Sequence, residues 1–362
     1  MCSTLNKVLI YFALIFVLLK LVTGNVVFVG IAGALIFLCF LITFRWFKLA
    51  PIVIFTLVLV YILWMGLISV DVEGRNYFLY VFYFTFSIML TLCIRHYKID
   101  YKLSLSLLLV SCLWMIFQIY KFGYNPDAYN DLIDGSRNYI SAYLILFYIY
   151  YLYACYVNNR QPNLIFPLFI VVACVYLYGR SGIILSVLLL LISVLQTKSR
   201  IKIGLFMLLG LLTLIFYYNT IYNIILNSNL SHGVETERSG MLMQYVGSIQ
   251  SARDLILGVD LFQCCSLIIK FEGNPHNSFV MMHSRFGIFP FIIIVFFYLY
   301  QITARLFLKK WYLNLLLLMI FMRYFLDTLG FFGPVDFILF AVILSIISND
   351  NVIKSEHPQS HV

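Results

Sequence analysis

The sequence predicts an all-α, polytopic membrane protein: a helical bundle of about twelve transmembrane helices with a large external loop between the ninth and the tenth. Three observations predict it. Hydrophobic residues make up 63% of the 362-residue chain and charged residues only 11%, against about 25% charged in ordinary soluble domains. Mean hydropathy is +0.98. Apolar runs recur from one end of the chain to the other, each near the roughly 20 residues that cross a bilayer as a helix. Unpaired backbone groups are not tolerated in lipid, which leaves helices or closed barrels. The runs do not alternate as barrel strands do.

In chain order the runs fall at 8–22, 25–44, 50–70, 77–94, 103–120, 139–157, 164–179, 182–197, 203–221, 287–304, 312–330 and 336–348. The first has one lysine before it, Lys7, and no small-residue cleavage site, so it reads as a retained helix rather than a signal peptide. The runs form a single transmembrane domain, 1–348. Residues 349–362 are polar and predict a disordered cytoplasmic tail.

Charge sets the orientation. One set of alternate loops carries fourteen Lys and Arg residues, among them Arg45, Lys48, Arg95, Lys98, Arg160, Lys198, Arg200, Lys202, Lys309 and Lys310; the other set carries eight. Basic loops stay in the cytoplasm, so both termini are expected there. The net charge of +9 is spread over short clusters between runs, which argues against nucleic acid as a partner. No Gly-rich phosphate loop occurs in the cytoplasmic segments. The cysteines lack metal-ligand spacing, and most sit in apolar runs as small buried side chains. Cys264 and Cys265 are adjacent, and neighbouring cysteines rarely pair. No cofactor or metal is expected.

Polar chemistry therefore gathers outside. A first external loop, 121–138, is rich in Asn, Asp, Tyr and Gly; it reads equally as a solvated turn or as a sugar-binding surface. A second runs over 222–278. Within it Leu242, Tyr245, Val246, Ile249, Leu255 and Ile256 predict one amphipathic helix along the membrane, capped by Ser239 and Gly258. Pro275-His276-Asn277-Ser278 starts another short helix, capped by Asn277 or Ser278, which Gly287 and Pro290 end.

Two arginines stand inside apolar runs. A charge at the bilayer centre costs at least about 2.5 kcal/mol, so it faces a partner or a cavity. Arg323 is four residues before Asp327, one helical turn, and the two could simply pair. Arg180 has no local partner, and Gly179, Ser181 and Gly182 leave room for a ligand to approach. Arginines grip phosphate in a bidentate, permanently charged way. A histidine near pH 7 takes a proton from a hydroxyl. Together they suit a lipid-linked pyrophosphate, with its tail in the bilayer, its headgroup outside and its leaving-group charge balanced without a metal. His276 is the base in this reading; its ordinary alternative is a structural histidine next to a helix cap. His283, seven residues on, reads as a bystander.

"YGRSGIILSV", followed by "TERSGM", "LILGVD" and "PHNSFVMMHSRFGIFPF" in a large external loop, resembles the O-antigen polymerase and O-antigen ligase superfamily. The resemblance covers roughly 170–340 and the overall span plan. It implies a bacterial inner-membrane glycosyltransferase of lipopolysaccharide biosynthesis. Such an enzyme works on the periplasmic face on undecaprenyl-pyrophosphate-linked glycans, with membrane lipid and a chain-length regulator protein as further partners. By that likeness Arg180, Arg238 and His276 are the catalytic residues: the arginines bind pyrophosphate and the histidine assists the acceptor hydroxyl. Arg285, Asn277, Arg323 and Asp327 are carried as further substrate-binding residues.

The expected activity is polymerisation of repeat units. The alternatives are a ligase that transfers glycan to lipid A-core, a flippase or transporter, and a metal-dependent oligosaccharide transferase using Asp71 and Glu73.

Overall fold

The computed structural model describes residues 2–44, 49–68, 77–123, 125–133, 136–197, 204, 237–307, 311–331 and 333–347. The ninth apolar run apart from residue 204, the second loop up to 236, the Asp71 and Glu73 segment and the tail lie outside them. The described residues are helical with no strand. In chain order they form α1 (Cys2–Thr23), α2 (Val26–Thr43), α3 (Leu49–Ile68), α4 (Tyr77–His96), α5 (Asp100–Phe122), α6 (Arg137–Val157), α7 (Ile165–Tyr176) and α8 (Arg180–Gln196). After the undescribed stretch come α9 (Glu237–Gly247), α10 (Ala252–Leu257), α11 (Leu261–Cys264), α12 (Ser266–Lys270), α13 (Ser278–Phe286), α14 (Ile288–Phe307), α15 (Trp311–Leu326) and α16 (Phe337–Ile347).

Five of the described helices are long and apolar enough to cross a membrane: α1, α2, α4, α5 and α6. Their outward faces are apolar as well. Leu113 is 63% exposed and Leu195, on α8, 73%; in water such a surface would be one large sticky patch. Chain breaks fall where local chemistry puts them. Asn25 accepts the Val27 N–H at 3.0 Å to open α2, and Gly123 ends α5.

The core is built around α6, whose residues from Ile140 to Cys155 are almost all buried, with α5, α7, α8, α15 and α16 packed against it. In lipid the packing and interhelical hydrogen bonds hold helices together, because tails are as apolar as leucine. Tyr148 of α6 bonds Ser193 of α8 at 2.6 Å, and Thr91 of α4 donates to the Phe337 carbonyl at 3.0 Å, fixing the start of α16.

Helices α9, α11, α12 and α13 make a separate small core from Met241, Tyr245, Leu261, Cys265, Ile268 and Val280. Here the structure corrects two expectations. The single helix from Ser239 to Gly258 is two. Ser251 accepts the Asp254 N–H at 3.1 Å while Asp254 accepts the Ser251 N–H at 3.0 Å, a reciprocal cap that starts α10 afresh. Ser239 lies inside α9 rather than capping it. Cys264 and Cys265 are disulfide-bonded to each other. They occupy the corner between α11 and α12, where extended backbone at Cys265 separates two short helices.

The end of α13 crosses α10 with no space to spare. Gly287 takes a left-handed φ of +71°, and a Cβ there would fall 1.7 Å from the Ile256 carbonyl oxygen. Gly258, at φ +88°, is held in the same way against the His283 carbonyl. Only glycine fits either place.

Candidate functional site

The ends of α6, α8, α15, α13 and α9 converge on one buried arginine. Arg323 is fully buried. Its Nη2 lies 2.5 Å from Asp327 Oδ2, one turn further along. Nη2 also donates to the Asn138 carbonyl at 2.7 Å and Ser141 Oγ at 3.3 Å, both at the start of α6. Nη1 donates to Ser181 Oγ at 3.0 Å, at the start of α8. The contact to Oδ2 is an ion pair off the hydrogen-bonding direction, as Oδ2 has no aligned donor.

Asp327 faces a second arginine. Arg238, the second residue of α9, is 3.5 Å from Asp327 Oδ1 through Nη2 and donates through Nη1 to the Leu326 carbonyl. One carboxylate thus stands between two guanidiniums, and the cluster keeps an excess of positive charge. Arg238 retains 28% side-chain exposure, Arg323 none. A ligand can reach the first; the second braces the frame.

Arg180 begins α8, half-buried, beside Ser181. The α8 N-terminus has no side-chain cap, and its first N–H groups carry the positive end of the helix dipole. Gly179 and Gly182 do not open room for a ligand. A Cβ at Gly179 would sit 2.9 Å from Asn138 Oδ1, and one at Gly182 2.9 Å from Ser141 Oγ. These glycines let α8 close on α6, which brings Ser181 and Ser141 to the same guanidinium.

Just before α13, His276 takes a left-handed φ of +48°. Its N–H donates to Asn274 Oδ1 at 2.9 Å, and its ring meets Phe271 edge-on at 5.4 Å. Asn274 belongs to a closed ring of hydrogen bonds with Thr328 Oγ1 at 3.0 Å and Tyr139 OH at 3.4 Å, while Tyr139 and Thr328 meet at 2.7 Å. Burial lowers the His276 pKa from 6.5, and the Arg238 charge lowers it further; Asp327 and Glu237 act against them. Its imidazole is therefore neutral at pH 7 and able to accept a proton.

Asn277 caps α13, taking the Phe279 and Val280 N–H groups at 2.9 and 3.2 Å. Ser278 ties the same turn to α15, donating to the Asp327 carbonyl at 2.5 Å and accepting the Gly330 N–H at 3.0 Å. Arg285, near the other end of α13, lies over the Tyr80 ring of α4 at 4.2 Å. His283 is buried as a staple. Its Nε2 faces the Leu255 carbonyl at 2.9 Å, so it carries the proton, and Nδ1 accepts from Tyr245 OH at 2.7 Å.

Next to Asn277 opens an apolar groove of about 570 Å³. Tyr245 of α9 and Ile249 just after it line one side; Phe291 and Val295 of α14 and Phe321 and Phe325 of α15 line the other. Among the described residues no His, Cys, Asp and Glu cluster could hold a metal ion.

Of the residues singled out in the sequence, Arg238, Arg323, Asp327 and His276 come together, with Arg180 one residue from the Ser181 that Arg323 holds. Asn274, Thr328, Tyr139, Ser141 and Asn138 were missed. Asn274 carried a local signal, its place two residues before His276; the others act through contacts remote in the chain. Comparison with protein-family models, curated proteins and solved structures finds no match.

Proposed function

We propose that the chain is a polymerase of lipid-linked glycan repeat units, with twelve spans, both termini in the cytoplasm and its site on the periplasmic face of a bacterial inner membrane. The carrying observation is the buried cluster in which Asp327 stands between Arg238 and Arg323, with His276 on the turn that Ser278 ties to Asp327, beside an apolar groove whose far wall is α14 and α15. An amphiphilic anion suits that arrangement: tail in the groove, diphosphate on guanidinium groups.

In this reading the acceptor's terminal hydroxyl gives its proton to His276 as its oxygen attacks the anomeric carbon of the donor. The bond between that carbon and the phosphate oxygen breaks, and the lipid pyrophosphate leaves with the electron pair. Arg238 and Arg180 balance the developing charge. Arg323 and Asp327 hold Arg238 and the α8 terminus in register. Asn274 fixes the backbone of His276.

Deleting the gene and running lipopolysaccharide on a gel tests the proposal. Cores capped by a single repeat support a polymerase. Bare cores, with repeats held on the carrier lipid, support a ligase on the same site. Loss of periplasmic repeats altogether refutes both and favours a flippase.

A further inference from the structure

Helix α9 separates two unlike spaces. Leu242, Tyr245 and Val246 face the apolar groove, while Gln244, Gly247 and Ser248 face a polar hollow of about 530 Å³. Gln250, Asp260, Gln263 and Cys264 of the disulfide also line the hollow.

Its chemistry is selective. Among the described residues no Lys or Arg lines it, so it lacks the cationic side chains that grip phosphate. The carboxylates are engaged: Asp254 closes the cap of α10, and Asp260 Oδ1 accepts the Phe262 N–H at 2.9 Å. Gln244 is fixed by accepting the Leu267 N–H at 3.1 Å. The carboxamides of Gln250 and Gln263 are exposed and make no hydrogen bond among the described residues. Ser248 donates to the Tyr245 carbonyl at 2.6 Å, which leaves its oxygen as an acceptor. Carboxamides and a hydroxyl, each giving and taking hydrogen bonds without charge, match a ligand made of hydroxyl groups.

We infer that this hollow is a saccharide-binding subsite, holding sugar units of the glycan at a distance from the reacting junction. What glycan it takes rests on the function proposed above. Along α9, Gln244 is about 9 Å and Ser248 about 15 Å beyond Arg238 at 1.5 Å per residue. A short oligosaccharide bridges that length. The lipid tail, the diphosphate and the sugars would then meet one face, the N-terminal end and the opposite face of a single helix.

The test uses the full-length protein in lipid nanodiscs, and as probe the host's repeat oligosaccharide freed from its carrier by mild acid. Saturation-transfer NMR reads binding. Gln250→Ala with Gln263→Ala weakens it about tenfold, as expected for two lost neutral hydrogen bonds. Gly247→Trp, at a position with open space around its Cβ, fills the hollow and abolishes binding. In chain assembly on lipid-linked repeats, the double variant raises KM and shortens the product, with kcat kept. Unchanged binding in both variants overturns the inference, as does wild-type protein that fails to bind. His276→Ala separates the two claims: saccharide binding that persists while assembly stops supports both. Assembly that continues in His276→Ala refutes the proposed catalysis but leaves the subsite standing if binding still depends on Gln250 and Gln263.

Discussion

Asp327→Ala removes the only carboxylate between two arginines and leaves Arg323 charged with no counter-charge among the described residues. Its remaining partners are neutral: the Asn138 carbonyl at 2.7 Å, Ser181 at 3.0 Å and Ser141 at 3.3 Å. Both members of the pair are essentially unexposed, at 0% and 1%. Breaking such a pair from one side costs about 3–5 kcal/mol, whereas removing both charges together is often close to neutral. At about 2 °C per kcal/mol, the low end for larger chains, Asp327→Ala melts roughly 6–10 °C below wild type. Arg323→Met combined with Asp327→Ala recovers most of that loss. Thermal unfolding in detergent with a thiol-reactive dye reads the shift, because Cys39, Cys93, Cys112, Cys155 and Cys174, the free cysteines whose surroundings are described, are buried until the bundle opens. An Asp327→Ala protein that melts within about 2 °C of wild type, or a double variant no better than the single, would refute the buried-pair reasoning.

Other outcomes follow from the same geometry. The His276 pKa lies below 6.5 partly because of Arg238, so Arg238→Gln moves the titration of His276 upward in NMR of the histidine-labelled protein; no movement, or a downward one, contradicts their proximity. Burial also holds the His283 pKa below 6.5. The unfolded chain takes up a proton that the folded chain refuses, so this contribution to stability is full above 6.5 and is lost as pH falls below it. His283→Gln accordingly flattens the fall of melting temperature between pH 6.5 and pH 5, although His276 adds to the same slope. Gly287→Ala forces a Cβ into the Ile256 carbonyl and should destabilise the α10–α13 crossing by at least about 1–3 kcal/mol; limited proteolysis of the 237–287 segment that matches wild type would count against it. Arg180→Lys keeps the charge but loses the fork, and chain assembly should fail where phosphate contact is bidentate.

What could be read from the chain was local. The boundaries of α13 followed from Asn277 and Gly287, because a cap and a left-handed glycine are written within one or two residues of the turns they make. The Arg323–Asp327 pair followed from a spacing of one helical turn. The break between α9 and α10 falls where the helical spacing of apolar residues stops at Ile249, and the Ser251–Asp254 cap makes it. The role of Ser181 was hidden: its partner Arg323 lies 142 residues away, and Asn138 lies 185 residues from the same guanidinium. His283, read as a bystander, is a staple whose two partners, Tyr245 and Leu255, lie on different helices.

The most direct test of the central claim is reconstitution in proteoliposomes with lipid-linked repeat units, following release of lipid pyrophosphate together with glycan length. The account predicts chain growth matched by pyrophosphate release, unaffected by EDTA, and lost in Arg180→Ala, Arg238→Ala and His276→Ala proteins that still insert and fold. Chains of normal length from His276→Ala and Arg238→Ala would contradict it.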